Sequence, residues 1–208
     1  MSHREQTTFA FVMANPYQTE RLVFRAAEQP DDEEIVVRIQ QEPLTIRNSD
    51  PSLARPQSKE NGRKHLKFLA EEALLGLVLC LPPPAAAAPD APAPRPIGTL
   101  HLEAQERQMA HHRSATLGID VLAEYQGRGY GSEAIRWVLR WAFETAGLHR
   151  VEVRALGWNH GAVRLYERLG FRREGLLRGT WWFEGRWWDD YIFGMLESDW
   201  RAMNAGGQ

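Results

Sequence analysis

All 12 prolines of this 208-residue chain lie at or before Pro96, and all 8 tryptophans lie at or after Trp137. Proline removes a backbone donor and fixes φ, so the proline-free half is where unbroken helices and ladders belong. There, Leu117, Ile119 and Val121 alternate with Gly118 and Asp120, the pattern of a strand. A glycine-rich turn, Gln126 to Gly131, follows. Ser132 to Ala146 then carries Ile135, Val138, Leu139, Ala142 and Phe143 at helical spacing and stops at Gly147. Val151, Val153 and Ala155 alternate with Glu152 and Arg154, which predicts a second strand. Asn159 caps a second helix whose apolar face is Ala162, Leu165, Tyr166 and Leu169, and Gly170 ends it. Two aromatic runs flank Glu184-Gly185 and predict a closing hairpin. The order of elements is mixed α/β.

The first half is more broken. Thr19 to Ala26, with Leu22-Val23-Phe24, reads as a strand. Asp31 to Glu34 precede Ile35, Val36 and Ile39, and acidic residues in a first turn offset unpaired N–H groups, so the run reads as a helix start rather than a binding patch. Residues 43–62 hold three prolines, Asn48, Asn61 and Gly62, and predict a loop or a broken helix. Arg63 to Ala73 is helical in pattern, and Leu74 to Leu81 has the length of a buried strand. Pro82 to Pro96 carries seven prolines among alanine and aspartate. That stretch is expected to be a solvated, partly polyproline II insertion into a hairpin closed by a strand at Ile97 to Glu103. The expected organisation is a flexible terminus over residues 1–18 and one domain over 19–203.

Charge and composition exclude several classes. Lys plus Arg total 25 and Asp plus Glu 27, so the net charge is −2 and there is no bulk electrostatic grip on nucleic acid or anionic membrane. The longest apolar run, Ala73 to Leu81, is far below the roughly 20 residues needed to cross a bilayer. Phe9 to Ala14 is too short for a secretory core. Cys80 is the single cysteine, which rules out an internal disulfide and a multi-cysteine metal site. His111 and His112 lack further ligands at metal spacing, so no metal is assigned. The expectation is a soluble cytoplasmic protein, monomer or homodimer, with no nucleic-acid or membrane partner.

The chemistry concentrates at Gln126-Gly127-Arg128-Gly129-Tyr130-Gly131. Glycine admits close backbone approach and positive φ, and the N–H groups of a helix start point at an anion. A phosphate or pyrophosphate ligand follows. A Walker A loop needs Gly-Lys-Ser/Thr, and this turn has no lysine. A dinucleotide fingerprint would align Gly127, Gly129 and Ser132 with Glu152 beyond, but serine replaces the third glycine and the aromatic hairpin leaves no room for further βαβ units.

The Gln-x-x-Gly-x-Gly pattern at 126–131 resembles the pyrophosphate motif of the GNAT superfamily of N-acetyltransferases. Asn159-x-x-Ala162-x-x-Leu165-Tyr166-Glu167-x-Leu169-Gly170-Phe171 resembles that family's second cofactor motif, and Arg178 to Leu196 is similar to the ribosomal-protein acetyltransferase-like branch. The likeness runs from about Leu117 to Trp200 and extends more faintly to Thr19-Glu20-Arg21-Leu22. The Pro-rich stretch departs from the family pattern. The resemblance implies a mixed, mostly antiparallel sheet flanked by helices. It also implies two parallel strands, here Leu117–Val121 and Val151–Ala155, splayed to admit acetyl-CoA.

On that reading the cofactor residues are Ile119 and Val121 through backbone groups, the turn residues Gln126, Gly127, Arg128, Gly129 and Gly131, the helix start at Ser132, and Asn159. The reaction implied is direct attack of an amine, from a small molecule or a peptide, on the thioester. A backbone N–H near Val121 would stabilise the oxyanion, and Tyr166 would protonate the leaving thiolate. Glu152 is a candidate general base, and Asp120 has a weaker claim. Trp181, Trp182, Trp187 and Trp188 either line an acceptor pocket or form an aromatic rim on the core. Two other classes stay open: a coenzyme A-binding module without catalysis, and an interaction module acting through the Pro-rich loop and the tryptophan hairpin. Protein N-terminus, polyamine, amino sugar, antibiotic and arylamine are all admissible acceptors.

Overall fold

The computed structural model describes residues 15–83 and 92–205. Most of the Pro-rich insertion and of the expected flexible terminus lies outside the described residues. The elements are β1 (Val23–Ala26), α1 (Glu33–Gln41), α2 (Pro43–Ser49), α3 (Lys59–Lys67), β2 (Leu75–Leu81), β3 (Arg95–Ala104), β4 (Ser114–Val121), α4 (Tyr130–Arg140), β5 (Arg150–Leu156), α5 (His160–Arg168), β6 (Arg172–Phe183), β7 (Arg186–Leu196) and α6 (Glu197–Asn204). Wide π-type turns prolong α3 to Glu72 and α4 to Thr145.

The seven strands form one sheet in the order β1-β2-β3-β4-β5-β7-β6. Every neighbouring pair is antiparallel except β4 and β5. The mixed, mostly antiparallel sheet is the one the resemblance implied. Side chains alternate across it. One face carries Leu77, Leu79, Leu100, Leu102, Leu117, Val151, Val153 and Phe193, all buried. It packs against α4 through Phe24 stacked on Trp137 at 4.2 Å and against α5 through Phe193 and Tyr166 at 5.9 Å. The other face receives α3, where His65 meets His101. α1 packs on α3 at Gly62, where a side chain would begin 2.6 Å from a Val37 methyl.

One region differs from expectation, and the closing hairpin does not. Residues 43–62 hold two ordered helices. Pro43 occupies the first turn of α2, where its missing N–H costs nothing. Ser58 caps α3 by accepting from the Asn61 N–H, so that helix begins at Lys59 rather than Arg63. The closing hairpin turns on Glu184 (φ 47°) and Gly185 (φ 79°), the paired positive dihedrals of a two-residue connection.

Candidate active site

β4 and β5 pair only at Ser114–Thr116 with Arg150–Glu152, and beyond that point they diverge. The direction of the freed backbone groups follows from the β3 register. The Leu122 N–H donates to the Ile97 carbonyl at 3.0 Å, just outside the facing pair Gly98 and Val121. That pair is therefore the non-hydrogen-bonded kind, and Val121 turns its own N–H and carbonyl away from β3. Ile119, two residues earlier, does the same. Both strand edges open into the gap that β5 has vacated. The Val121 carbonyl is already taken, by the Gln126 amide at 2.7 Å and the Thr45 hydroxyl at 3.3 Å. Gln126 thereby ties the end of the strand to the start of the turn.

The turn delivers the chain into α4 through two left-handed glycines, Gly127 (φ 71°) and Gly129 (φ 86°). Gly129 is the N-cap and supplies no side chain, so the first-turn N–H groups of α4 have no side-chain cap. Arg168, at the end of α5, brings a guanidinium to this point, with Nη2 3.4 Å from Ser132 Oγ. A helix start without a side-chain cap, beside a guanidinium that meets no carboxylate among the described residues, suits a pyrophosphate.

A cleft of about 410 Å³ joins these groups to α2 and α5. α2 forms its second wall by bridging the split strands. At its first end Glu42 accepts from the Ala123 N–H at 2.8 Å. At its last turn, the Arg47 and Asn48 carbonyls accept from Trp158 Nε1 (2.7 Å) and Asn159 Nδ2 (3.0 Å). Asn159 also caps α5 by accepting from the Ala162 N–H at 3.0 Å. One donor and one acceptor site of its amide remain for a ligand.

Tyr166 and Asp120 both line the cleft, from α5 and from the open end of β4. Among the described residues nothing hydrogen-bonds the Tyr166 hydroxyl. Burial, and then the Asp120 carboxylate, push the phenol well above its ordinary pKa, so it holds its proton throughout the neutral range. Asp120 reaches solvent through the cleft but is walled in by protein. Desolvation lifts its pKa to about 6, against a smaller opposing pull from the Ser49 hydroxyl, and Asp50 adds to the rise.

All of the sequence-derived site residues line this cleft except two. Glu152 lies outside it. Its register partner on β4 is Thr116, at the end where the strands are still joined, and its carboxylate pairs with Arg150 at 3.0 Å. The acid in the gap is Asp120. Arg128 points elsewhere, with its guanidinium 5.8 Å over the Tyr125 ring. Sequence reasoning missed Thr45, Asn48, Ser49 and Arg168. The only local signals were Pro43 as a helix-start residue and the position of Arg168 inside the Leu165–Phe171 motif. The aromatic hairpin divides its roles. Phe183 and Trp188 pack on Trp158, the former stacked at 4.3 Å, whereas Trp182 and Trp187 are 60% and 63% exposed. None of them lines the cleft.

Residues 21–172 match the acetyltransferase (GNAT) domain. The chain belongs to that family. Among GNAT relatives it is 34% identical over 76 residues to the uncharacterized N-acetyltransferase YnaD of Bacillus subtilis, covering 36% of this chain and 45% of the relative. It is 29% identical over 84 residues to the [ribosomal protein uS5]-alanine N-acetyltransferase of Escherichia coli, covering 40% and 43%. The chain spans about half the length of the curated relatives it matches. A crystal structure of a GNAT protein, the spermidine N-acetyltransferase of Vibrio cholerae in complex with CoA and spermine, superposes with a TM-score of 0.68. It is 23% identical, over 88% of this chain and 99% of that one, a likeness of fold.

Proposed function

We propose that this chain is an acetyl-CoA-dependent N-acetyltransferase that acetylates a primary amine by direct attack. One observation carries the reading. Among the described residues, a strand edge with unpaired N–H groups at Ile119 and Val121 runs into the uncapped start of α4, and an unpaired phenol and a carboxylate flank the same gap. These groups fit acetyl-CoA part by part. The α4 N-terminus and Arg168 would hold the pyrophosphate. Ile119 would pair with the amide-rich pantetheine arm as a neighbouring strand does, with the free capacity of Asn159 beside it.

The residues then divide the proton work. Asp120, with its pKa near 6, accepts the proton of the incoming ammonium. The Val121 N–H faces the charge that builds on the carbonyl oxygen. Tyr166 supplies the proton to the departing thiolate. Part of what suppresses Tyr166 as an acid is the negative charge on Asp120. Protonation of Asp120 removes that charge, so the base step makes the acid step easier.

The acceptor is read as a small-molecule or peptide amine. The relatives' names support that range, since one acts on a ribosomal protein and a structural neighbour carries spermine. The reading takes the enzyme as a cytoplasmic monomer or homodimer. The test is a panel of amines with acetyl-CoA, followed by free-thiol release. Amine-dependent thiol release is expected. Binding of CoA without turnover on any amine would instead mark a cofactor-binding module.

A further inference from the structure

We propose that Arg21 is a positioning residue for the cofactor turn, coupling the chain's N-terminal segment to the pyrophosphate end of the cleft. This rests on the reading that the 126–131 turn holds the pyrophosphate. Arg21 comes from a segment more than a hundred residues away in sequence and does not line the cleft itself. Its guanidinium reaches the glycine turn and the first turn of α4 at once. Nε donates to Glu133 Oε2 at 2.7 Å, and Nη1 donates to the Arg128 carbonyl at 2.9 Å. The Arg21 backbone N–H donates to Glu133 Oε1 at 2.9 Å, and the Thr19 hydroxyl donates to the same oxygen at 2.6 Å. The guanidinium also lies 5.1 Å over the Tyr130 ring and 3.2 Å from where a side chain on Gly129 would begin.

Each contact has a consequence for an anion at α4. Glu133 sits in the first turn of that helix, where its negative charge would compete with a phosphate for the same N–H groups. Burial alone would raise its pKa, but Thr19 and Arg21 outweigh burial and keep it ionised below the usual carboxylate range. A charge that cannot be removed by protonation is instead neutralised by Arg21. The Arg128 carbonyl matters for a different reason. A peptide unit is planar and trans, so a carbonyl held toward Arg21 turns the Gly129 N–H to the opposite side. Gly129 lines the cleft and Arg128 does not. Arg21 thus fixes the orientation of a peptide whose N–H serves the ligand, at a glycine free to rotate without it.

An exposed ion pair alone would be worth little, but here three hydrogen bonds hold a carboxylate that is only 15% exposed, and a fourth ties the same guanidinium to the Arg128 carbonyl. The readout that separates positioning from mere structure is the ligand. Arg21→Ala and Arg21→Lys are compared with the unaltered protein for binding of CoA and of S-acetyl-pantetheine, which has no pyrophosphate. Arg21→Ala is expected to weaken CoA binding about tenfold and to leave pantetheine binding and the saturated turnover rate unchanged. Arg21→Lys keeps the charge but cannot span both partners, and is expected to recover only part of the loss. Equal losses for the two ligands, or none, in a folded variant would overturn the proposal. Gly129→Val in the same assay guards the underlying reading. If it too spares CoA, the turn assignment fails. If it weakens CoA while Arg21→Ala does not, only the role of Arg21 fails.

Discussion

The two walls of the cleft are built in different ways. The cofactor wall is nearly continuous in sequence: β4, the glycine turn and α4 follow one another from Ser114 to Arg140. The recognition groups proposed for it are mostly backbone N–H groups, and its side chains would serve mainly by being small. The opposite wall is assembled from distant segments. α2 is held to the end of β4 by Thr45, to the turn after it by Glu42, and to the β5–α5 turn by Trp158 and Asn159. Phe183 from the far hairpin then backs Trp158. A ligand shared by many proteins can be met with backbone geometry, which tolerates change in other side chains. An acceptor peculiar to one protein needs side chains, and those can come from anywhere in the chain.

This contrast predicts how variants should sort. The largest effect belongs to Tyr166, the proton donor proposed above, which lies between the walls. Tyr166→Phe is expected to lower the single-turnover rate by about 10²–10⁴-fold, with CoA affinity nearly unchanged because the ring and its contacts with Phe171 and Phe193 remain. A variant as fast as the parent would reduce Tyr166 to a packing residue.

Asp120→Asn comes next, at about 100-fold in turnover. In the parent, turnover at limiting acceptor should climb as pH rises through about 6, where the Asp120 carboxylate forms. The asparagine variant should lack that limb. Stability should move the other way. The folded pKa lies above the unfolded value near 3.8, so the folded state binds the proton more tightly. Asp120 therefore costs stability progressively as pH rises from about 4 through 6, and the cost persists above. Asparagine should stabilise the protein at pH 7 by about 1–2 kcal/mol, discounted because the cleft admits water. Thermal melts at pH 4 and pH 7 would check this, and a variant less stable at pH 7 would contradict it.

Gly129→Val tests the cofactor wall alone. A β-branched residue resists φ 86° and would crowd Arg21 at 3.2 Å. CoA affinity should fall by at least about tenfold. Calorimetry would show whether the loss is confined to CoA or extends to acceptor binding, and the latter would mean the walls are not separable.

The same contrast explains what could be read from sequence. The second-half strands, both helices and the closing hairpin were legible because each is specified by local periodicity and by glycine or asparagine at its ends. Gly127, Gly129 and Asn159 announce themselves by residue type. α2 was not legible. Its seven residues, Pro43 to Ser49, have no strong apolar period, and the helix is held by tertiary bonds to Val121, Ala123, Trp158 and Asn159. Asp120 and Glu152 are indistinguishable in pattern, since each is an acid alternating with apolar neighbours on a strand. Only the register decides between them. β4 and β5 separate after Thr116 and Glu152, so the acid beyond that point faces the cleft and the acid at it faces Arg150.

The smallest expected effect tests that register argument. Glu152→Gln removes a charge but keeps the shape. Arg150 retains Glu174 as a partner, so the ion network survives. The Glu152 side chain is 34% exposed, and loss of such a pair typically costs about 0–1 kcal/mol. Turnover should stay within about twofold of the parent, with the rise near pH 6 intact, because no proton of the reaction passes through this carboxylate. The informative comparison is the pair of variants assayed across pH with the same acceptor. If Asp120→Asn erases the limb and Glu152→Gln keeps it, the acid beyond the divergence of β4 and β5 is the base. If the outcomes are exchanged, a chain of water must carry the proton back along β5 to the closed end of the strands, and the cleft would have to extend past Thr116.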